Sequence, residues 1–324
     1  MIKNNIGIDL GSDNIRIYLQ KENKIINSKP IVAIDVFMNE IVAYGKEANL
    51  INEKEPENLI LKKPIKKGKI EDVELMTELL KLILRDNTIK KRIINPNILV
   101  SYEKSLNSVE KEALIDVLRQ LGVKNIYMME SIKLIAIGIG MNIEKNKGKM
   151  IIDIGYETTK IGVISLNNII EYKTIEIGSN SYNQDIINFL KTNHEILISN
   201  KMAENIKNSL KENKITVSGK NILTSLPKDI TINSKELKES IQKSISIIVD
   251  EIKKVLESIT PEILNDIKET GIVITGGGSI LEGLRESLEK KLSIPVLETN
   301  NPLTCVIDGI KDILNTDITK ATKI

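Results

Sequence analysis

Residues 6–17 read IGIDLGSDNIRI and residues 151–164 read IIDIGYETTKIGVI. Each is an apolar run that ends in Asp-x-Gly, passes through a short polar turn and resumes as a second apolar run, the pattern of a β-hairpin. Its recurrence predicts two halves built alike. A third glycine turn, residues 271–283 (GIVITGGGSILEG), runs strand, three glycines, then an amphipathic helix carrying Leu281, Leu284, Leu288 and Leu292. Working outward, Ser108 reads as the N-cap of a helix over 109–121 that stops at Gly122. Ser234 opens a long helix whose Leu237, Ile241, Ile245, Ile248, Ile252, Val255 and Ile259 recur at helical spacing until Pro261 ends it. Strands alternating with helices give an α/β class. Residues 31–42 and 215–232 are strand-like, each follows one repeated hairpin, and both read as smaller inserted subdomains.

The chain has 324 residues, enough for two domains with their own cores. Its net charge of +2 provides no global field for nucleic acid, and 3% aromatics without Trp leave no stacking platform for single strands. The single Cys305 excludes a disulfide or cysteine metal cluster, and the single His194 excludes a two-histidine metal site. Both read as structural. The start, MIKNNIGIDLGS, turns polar within a dozen residues, and no apolar run approaches the roughly 20 residues of a membrane span. The expectation is a cytoplasmic chain.

An aspartate at a strand end before a tight glycine turn suits phosphate chemistry. Glycine lets backbone N–H groups approach phosphate oxygens, and a carboxylate can hold a hydrated magnesium ion. Asp9 and Asp153 would be those carboxylates. One such turn alone is only a turn. Two copies plus Thr275-Gly276-Gly277-Gly278 resemble the actin, sugar kinase and heat-shock chaperone ATPase superfamily. Residues 67–73 (KGKIEDV), 107–113 (NSVEKEA), 224–237 (TSLPKDITINSKEL), 260–284 (TPEILNDIKETGIVITGGGSILEGL) and 301–304 (NPLT) narrow the resemblance to the MreB-type bacterial actins.

That resemblance implies an actin-like, duplicated ribonuclease-H-like fold around a nucleotide cleft. Domain I would be residues 1–145 plus 305–324, with a small subdomain at about 32–65; domain II would be 146–304, with one at about 181–238. It implies ATP with Mg2+ as ligand, self-assembly into protofilaments, the inner membrane face as location and wall-synthesis proteins as partners. Carried over by position, the first phosphate turn is Gly11, Ser12, Asp13 and Asn14, and the second is Gly155, Tyr156, Glu157 and Thr158. Glu204 and Lys207, on a helix over 201–212, take the adenosine side, and Gly276, Gly277, Gly278 and Ser279 form the pocket base. Read alone, Glu204 and Lys207 are a solvated (i, i+3) pair.

Three departures from the family pattern bear on mechanism. Tyr156 and Glu157 stand where the family has glycines, which predicts left-handed backbone filled by residues that disfavour it. Asp13 and Glu157 add negative charge where phosphates would lie, which predicts weaker ATP binding. Ser131 occupies the place of the glutamate that orients the attacking water, and a serine cannot serve as a carboxylate base, so hydrolysis should be slow or lost. Two alternatives stay open: an ordinary ATP-hydrolysing member in which Glu130 substitutes, and a non-polymerising adaptor with the same fold. Phe37 and Met38 are read as exposed apolar residues in a region that takes part in longitudinal contacts in the family.

Residues 90–96 (KKRIINP) align with the family's membrane-inserting loop. Ile93 and Ile94 would be the apolar pair, with Lys90, Lys91 and Arg92 against an anionic leaflet, each cation contributing about 1 kcal/mol. Equally, Ile93 and Ile94 could begin the strand that continues through Val100. The double substitution Ile93→Ser/Ile94→Ser is expected to reduce co-sedimentation with anionic liposomes; unchanged co-sedimentation would remove the membrane role of this loop.

Overall fold

The computed structural model describes residues 5–52, 57–87 and 96–324. The chain divides into two compact units, one of residues 1–143 with 304–324 and one of residues 144–303. In the first, a six-stranded sheet runs from edge to edge as Thr322–Lys323, Asn125–Glu130, Asn97–Tyr102, Ile6–Leu10, Ile15–Leu19 and Lys24–Ser28. In the second, five strands run Asn168–Ile175, Thr159–Ser165, Lys149–Ile154, Ile272–Thr275 and Val296–Glu298. Each sheet centres on a repeated hairpin strand, with an antiparallel partner on one side and a parallel one on the other.

Both faces of the first sheet are covered, which explains why its strands are apolar at successive positions. Ile98 and Val100 pack with Met76, Leu79, Leu80 and Ile83 of the Val73–Asn87 helix. The intervening Leu99 faces the other way, toward Ile307, Ile310, Ile313 and Leu314 of the Cys305–Asn315 helix. The period of two assigns alternate residues to alternate layers. In the second unit Met150, Ile152 and Ile154 join Tyr182, Ile186 and Leu190 of the Ser179–His194 helix, with Ile241, Ile245, Ile248 and Ile252 of the Ser234–Ser258 helix. With Trp absent, aliphatic packing carries the cores.

The Ser131–Gly138 and Cys305–Asn315 helices meet backbone to backbone. A Cβ on Gly138 would collide with the Cys305 carbonyl, and one on Gly309 with that of Leu134. Each unit also carries a small antiparallel sheet: Ile41–Tyr44, Val32–Asp35 and Leu59–Lys62 in one, Ile196–Leu197, Lys214–Asn221 and Pro227–Asn233 in the other. Phe37 and Met38, 87% and 71% exposed, lie in the bend after Val32–Asp35, where Asp35 Oδ1 accepts from both of their backbone N–H groups.

Several boundaries differ from the sequence reading. Pro261 does not end the long helix, which stops at Ser258; it opens the next one, Pro261–Thr270, because the first helical position needs no amide donor. Leu281 lies outside its expected helix, since a 3₁₀ turn, Gly277–Ile280, intervenes before Leu284–Leu292. The helix carrying Glu204 and Lys207 is Asn200–Asn208, so Leu210 is beyond it. His194 is the last residue of its helix, its ring edge-on to Phe189, and Cys305 is buried.

The Ser108–Gln120 helix is capped one residue earlier than expected. Asn107 accepts from the Glu110 amide at 2.9 Å, and Glu110 accepts from the Asn107 amide at 2.9 Å, a reciprocal capping box. Asn107→Ala should therefore cost about 1 kcal/mol in urea unfolding, and Ser108→Ala less than about 0.5 kcal/mol.

Candidate functional site

The first hairpin turns over Gly11, Ser12, Asp13 and Asn14, closed by the Gly11 amide donating to the Asn14 carbonyl at 3.1 Å. A Cβ on Gly11 would lie 2.7 Å from that carbonyl, which explains the glycine. Ser12 Oγ accepts from the Gly68 amide at 2.9 Å. Gly68 and Lys67 form the two-residue turn between Ile65–Lys66 and Lys69–Ile70, both with positive φ as a tight hairpin requires. So the KGKIEDV stretch braces the turn through Ser12. Asp13 is not an uncompensated charge: Lys29 Nζ lies 2.8 Å from both of its carboxylate oxygens, and Asn14 Nδ2 donates to it at 2.6 Å. Asp9 accepts from Ser101 Oγ at 2.8 Å on one oxygen and faces Arg16 at 3.7 Å on the other.

The second hairpin turns over Gly155 to Thr158, with the Gly155 amide donating to the Thr158 carbonyl at 2.8 Å. Neither Tyr156 nor Glu157 has a left-handed backbone. The expected strain is absent because this turn closes through conformations open to any L-residue. The Tyr156 hydroxyl accepts from Asn200 Nδ2 at 2.9 Å, tying the turn to the start of the Asn200–Asn208 helix. The carbonyls of Gly155 and Tyr156 accept from the amides of Ser179 and Asn180 at 2.9 and 2.8 Å, capping the Ser179–His194 helix. Asp153, 7% exposed, bonds Lys160 Nζ at 3.2 Å.

Parallel pairing sets Asp153 opposite Thr275 and so delivers the third glycine turn to the second hairpin. Gly276 has φ +84° and ψ 162°, a combination almost confined to glycine, and a Cβ there would strike Asp153 Oδ1 and the Ile154 carbonyl. A Cβ on Gly278 would strike the Ile154 side chain. Ser279 Oγ donates to the Gly276 carbonyl at 2.8 Å. Beside this turn a cavity of about 250 Å³ is lined by Ser179, Tyr182, Lys207, Lys211, Gly277 and Gly278, among others. Lys207 Nζ donates to the Ser179 carbonyl at 3.4 Å. Tyr182, which sequence reasoning missed, is fully buried with its hydroxyl unpartnered within the protein, and burial pushes its pKa above the usual tyrosine range. Glu204 is exposed and is not among the lining residues.

Ser131 begins a helix directly after the Asn125–Glu130 strand. It is 4% exposed, and its hydroxyl has no protein partner. Its neighbour Glu130 faces Lys133 at 3.7 Å. Burial, then the charge of and hydrogen bond to Glu130, push the Tyr102 hydroxyl up to about 12.

Arg16 and Lys160 were not singled out by the sequence reading. They sit directly across the hairpins from Asp9 and Asp153, seven residues on in each case. The signal was available: a four-residue turn between strands in register sets the facing residue at that spacing. Each of the two carboxylates expected to serve magnesium thus has a cation partner from its own hairpin.

The crowding at Gly276 is testable against Gly283, which also has positive φ but faces open space. Gly276→Ala should destabilise the protein by about 2 kcal/mol or more beyond Gly283→Ala in denaturant unfolding. Equal losses would mean that Asp153 does not press on this turn.

Residues 3–322 match the family model described as MreB/Mbl protein. The cell shape-determining protein Mbl of Bacillus subtilis is 34% identical over 95% of both chains. The cell shape-determining protein MreB of Escherichia coli K12 is 31% identical over 95% of this chain and 92% of its own. Among solved structures, MreB 5 of Spiroplasma citri bound to AMPPNP superposes with a TM-score of 0.93 at 29% identity, covering 99% of this chain and 98% of its own. Matched along almost its whole length by sequence and by fold, the chain is a diverged member of the MreB/Mbl family of bacterial actin-like proteins.

Proposed function

We propose that this chain is a filament-forming cytoskeletal actin that works at the inner face of the membrane to direct cell shape, and that it binds adenine nucleotide as a structural ligand, hydrolysing it slowly or not at all. Its Bacillus and Escherichia relatives are cell shape-determining proteins. Nucleotide binding is supported by S. citri MreB 5, solved with AMPPNP and with ADP, and by the two Asp-x-Gly turns and the cavity beside Gly277. Self-assembly is supported by family membership, and wall-synthesis proteins are the partners this reading expects. Among the described residues no helix is long and apolar enough to cross a bilayer. Contact with the membrane is proposed for Lys90, Lys91, Arg92, Ile93 and Ile94 on their alignment with the family's membrane-inserting loop; they lie outside the described residues.

Slow hydrolysis rests on Ser131. Its short, buried hydroxyl cannot act as a carboxylate base. The charge argument for weak binding carries less, because Asp13 is neutralised by Lys29. Glu130 is a poor substitute base, since Lys133 and Tyr102 already engage it. Phosphate release at saturating Mg-ATP should be far slower than that of B. subtilis Mbl measured alongside. Ser131→Glu should raise it about a hundredfold, the lower end of what a positioned base contributes. Turnover equal to that of Mbl in the unaltered chain, abolished by Glu130→Ala, would overturn the reading.

A further inference from the structure

The carboxylate that the sequence reading placed beside a nucleoside, Glu204, is exposed and does not line the cavity next to Gly277. Among the residues that do line it, the one carboxylate is Glu282. Its partner there is Lys211, whose Nζ lies 3.7 Å from a Glu282 carboxylate oxygen. An exposed pair of this kind is ordinarily a solvated contact. This one stands between two cavities: Lys211, Glu282, Ile280 and Leu281 line both the space of about 250 Å³ beside Gly277 and an adjoining one of about 350 Å³. All four residues belong to the second compact unit.

The lining gives the first cavity a direction. At one end are Ser179, whose amide donates to the Gly155 carbonyl of the second hairpin turn, and Lys207, whose Nζ donates to the Ser179 carbonyl. On the nucleotide reading this is the phosphate end. From there the chain runs through Gly277 and Gly278 to Ile280, Leu281 and then Glu282, while Lys211 lies past the end of the helix that carries Lys207. Two aliphatic side chains followed by an acceptor and a donor suit a planar heterocycle with a polar edge. The acceptor decides which heterocycle. A carboxylate has no proton to give, so an exocyclic amino group matches it and a carbonyl oxygen does not; adenine has an amino group at its 6-position, where guanine and hypoxanthine have a carbonyl. The neighbouring ring nitrogen N7 accepts in all three and suits the Lys211 ammonium. We propose that Glu282 selects the base by accepting from the 6-amino group of adenine, with Lys211 holding the carboxylate in place and donating to N7. The proposal rests on the nucleotide reading of this cavity.

The test is displacement of mant-labelled ATP from the full chain by unlabelled ATP and by inosine triphosphate, both in saturating magnesium chloride. The two competitors carry an amino group and a carbonyl, respectively, at the 6-position. The unaltered protein should bind ATP about tenfold or more tightly, the scale of one hydrogen bond lost and one acceptor left facing another. The side-chain amide of Glu282→Gln can accept from an amino group or donate to a carbonyl, so the ratio should fall below about threefold, with thermal unfolding followed to show that the variant folds. Equal affinity of the unaltered chain for the two triphosphates overturns the proposal and leaves the nucleotide reading standing. So does a preference for ATP that Glu282→Gln retains in full. Failure of mant-labelled ATP to bind the unaltered chain overturns both.

Discussion

The register of two antiparallel strands across a four-residue turn is the constraint from which the site follows. Pairing sets Leu10 against Ile15 and Ile154 against Thr159, so the residue two steps before each turn faces the residue seven positions on. A slip of one residue would send every apolar side chain of the hairpin to the wrong layer. The buried faces of both sheets thus fix which residue meets Asp9 and which meets Asp153. The parallel neighbour then adds its own element: Ile272–Thr275 brings Gly276 against Asp153, while Asn97–Tyr102 brings Ser101 onto Asp9. The surroundings of the two carboxylates are by-products of sheet geometry.

Much of this was legible in the amino-acid sequence. The hairpins could be read because an apolar run closed by Asp-x-Gly is a local signal, and so could the helices, whose apolar residues recur at three and four. Helix ends were read less well where two residues compete for one role, as with Asn107 and Ser108, or where Pro261 can either stop a helix or start one. Contacts between distant segments left no local trace. Nothing near Lys29 announces Asp13, and nothing near Gly68 announces Ser12. Tyr156 and Glu157 misled because a glycine position in relatives does not by itself mean a left-handed one.

The structure also reassigns the acids that stood out in the sequence. Counted along the chain, Asp9, Asp13, Asp153 and Glu157 make two strongly negative turns. Placed in the fold, the three aspartates each face a cation from their own unit: Arg16, Lys29 and Lys160. Around these three aspartates the near-zero net charge of the whole protein is reproduced locally, each acid with its own cation.

The paired glycines of the Ser131–Gly138 and Cys305–Asn315 helices carry one more consequence. Both helices use glycine where they cross, so their axes come closer than side chains would permit, and the crossing has no side-chain rotamers with which to adjust. The first of these helices begins at Ser131. The position of that hydroxyl is thereby tied, through a rigid backbone contact, to the C-terminal stretch of the chain. Sequence change near residue 309, far along the chain and without chemistry of its own, is a route by which evolution could have retuned the helix that begins at Ser131 while leaving its sequence intact.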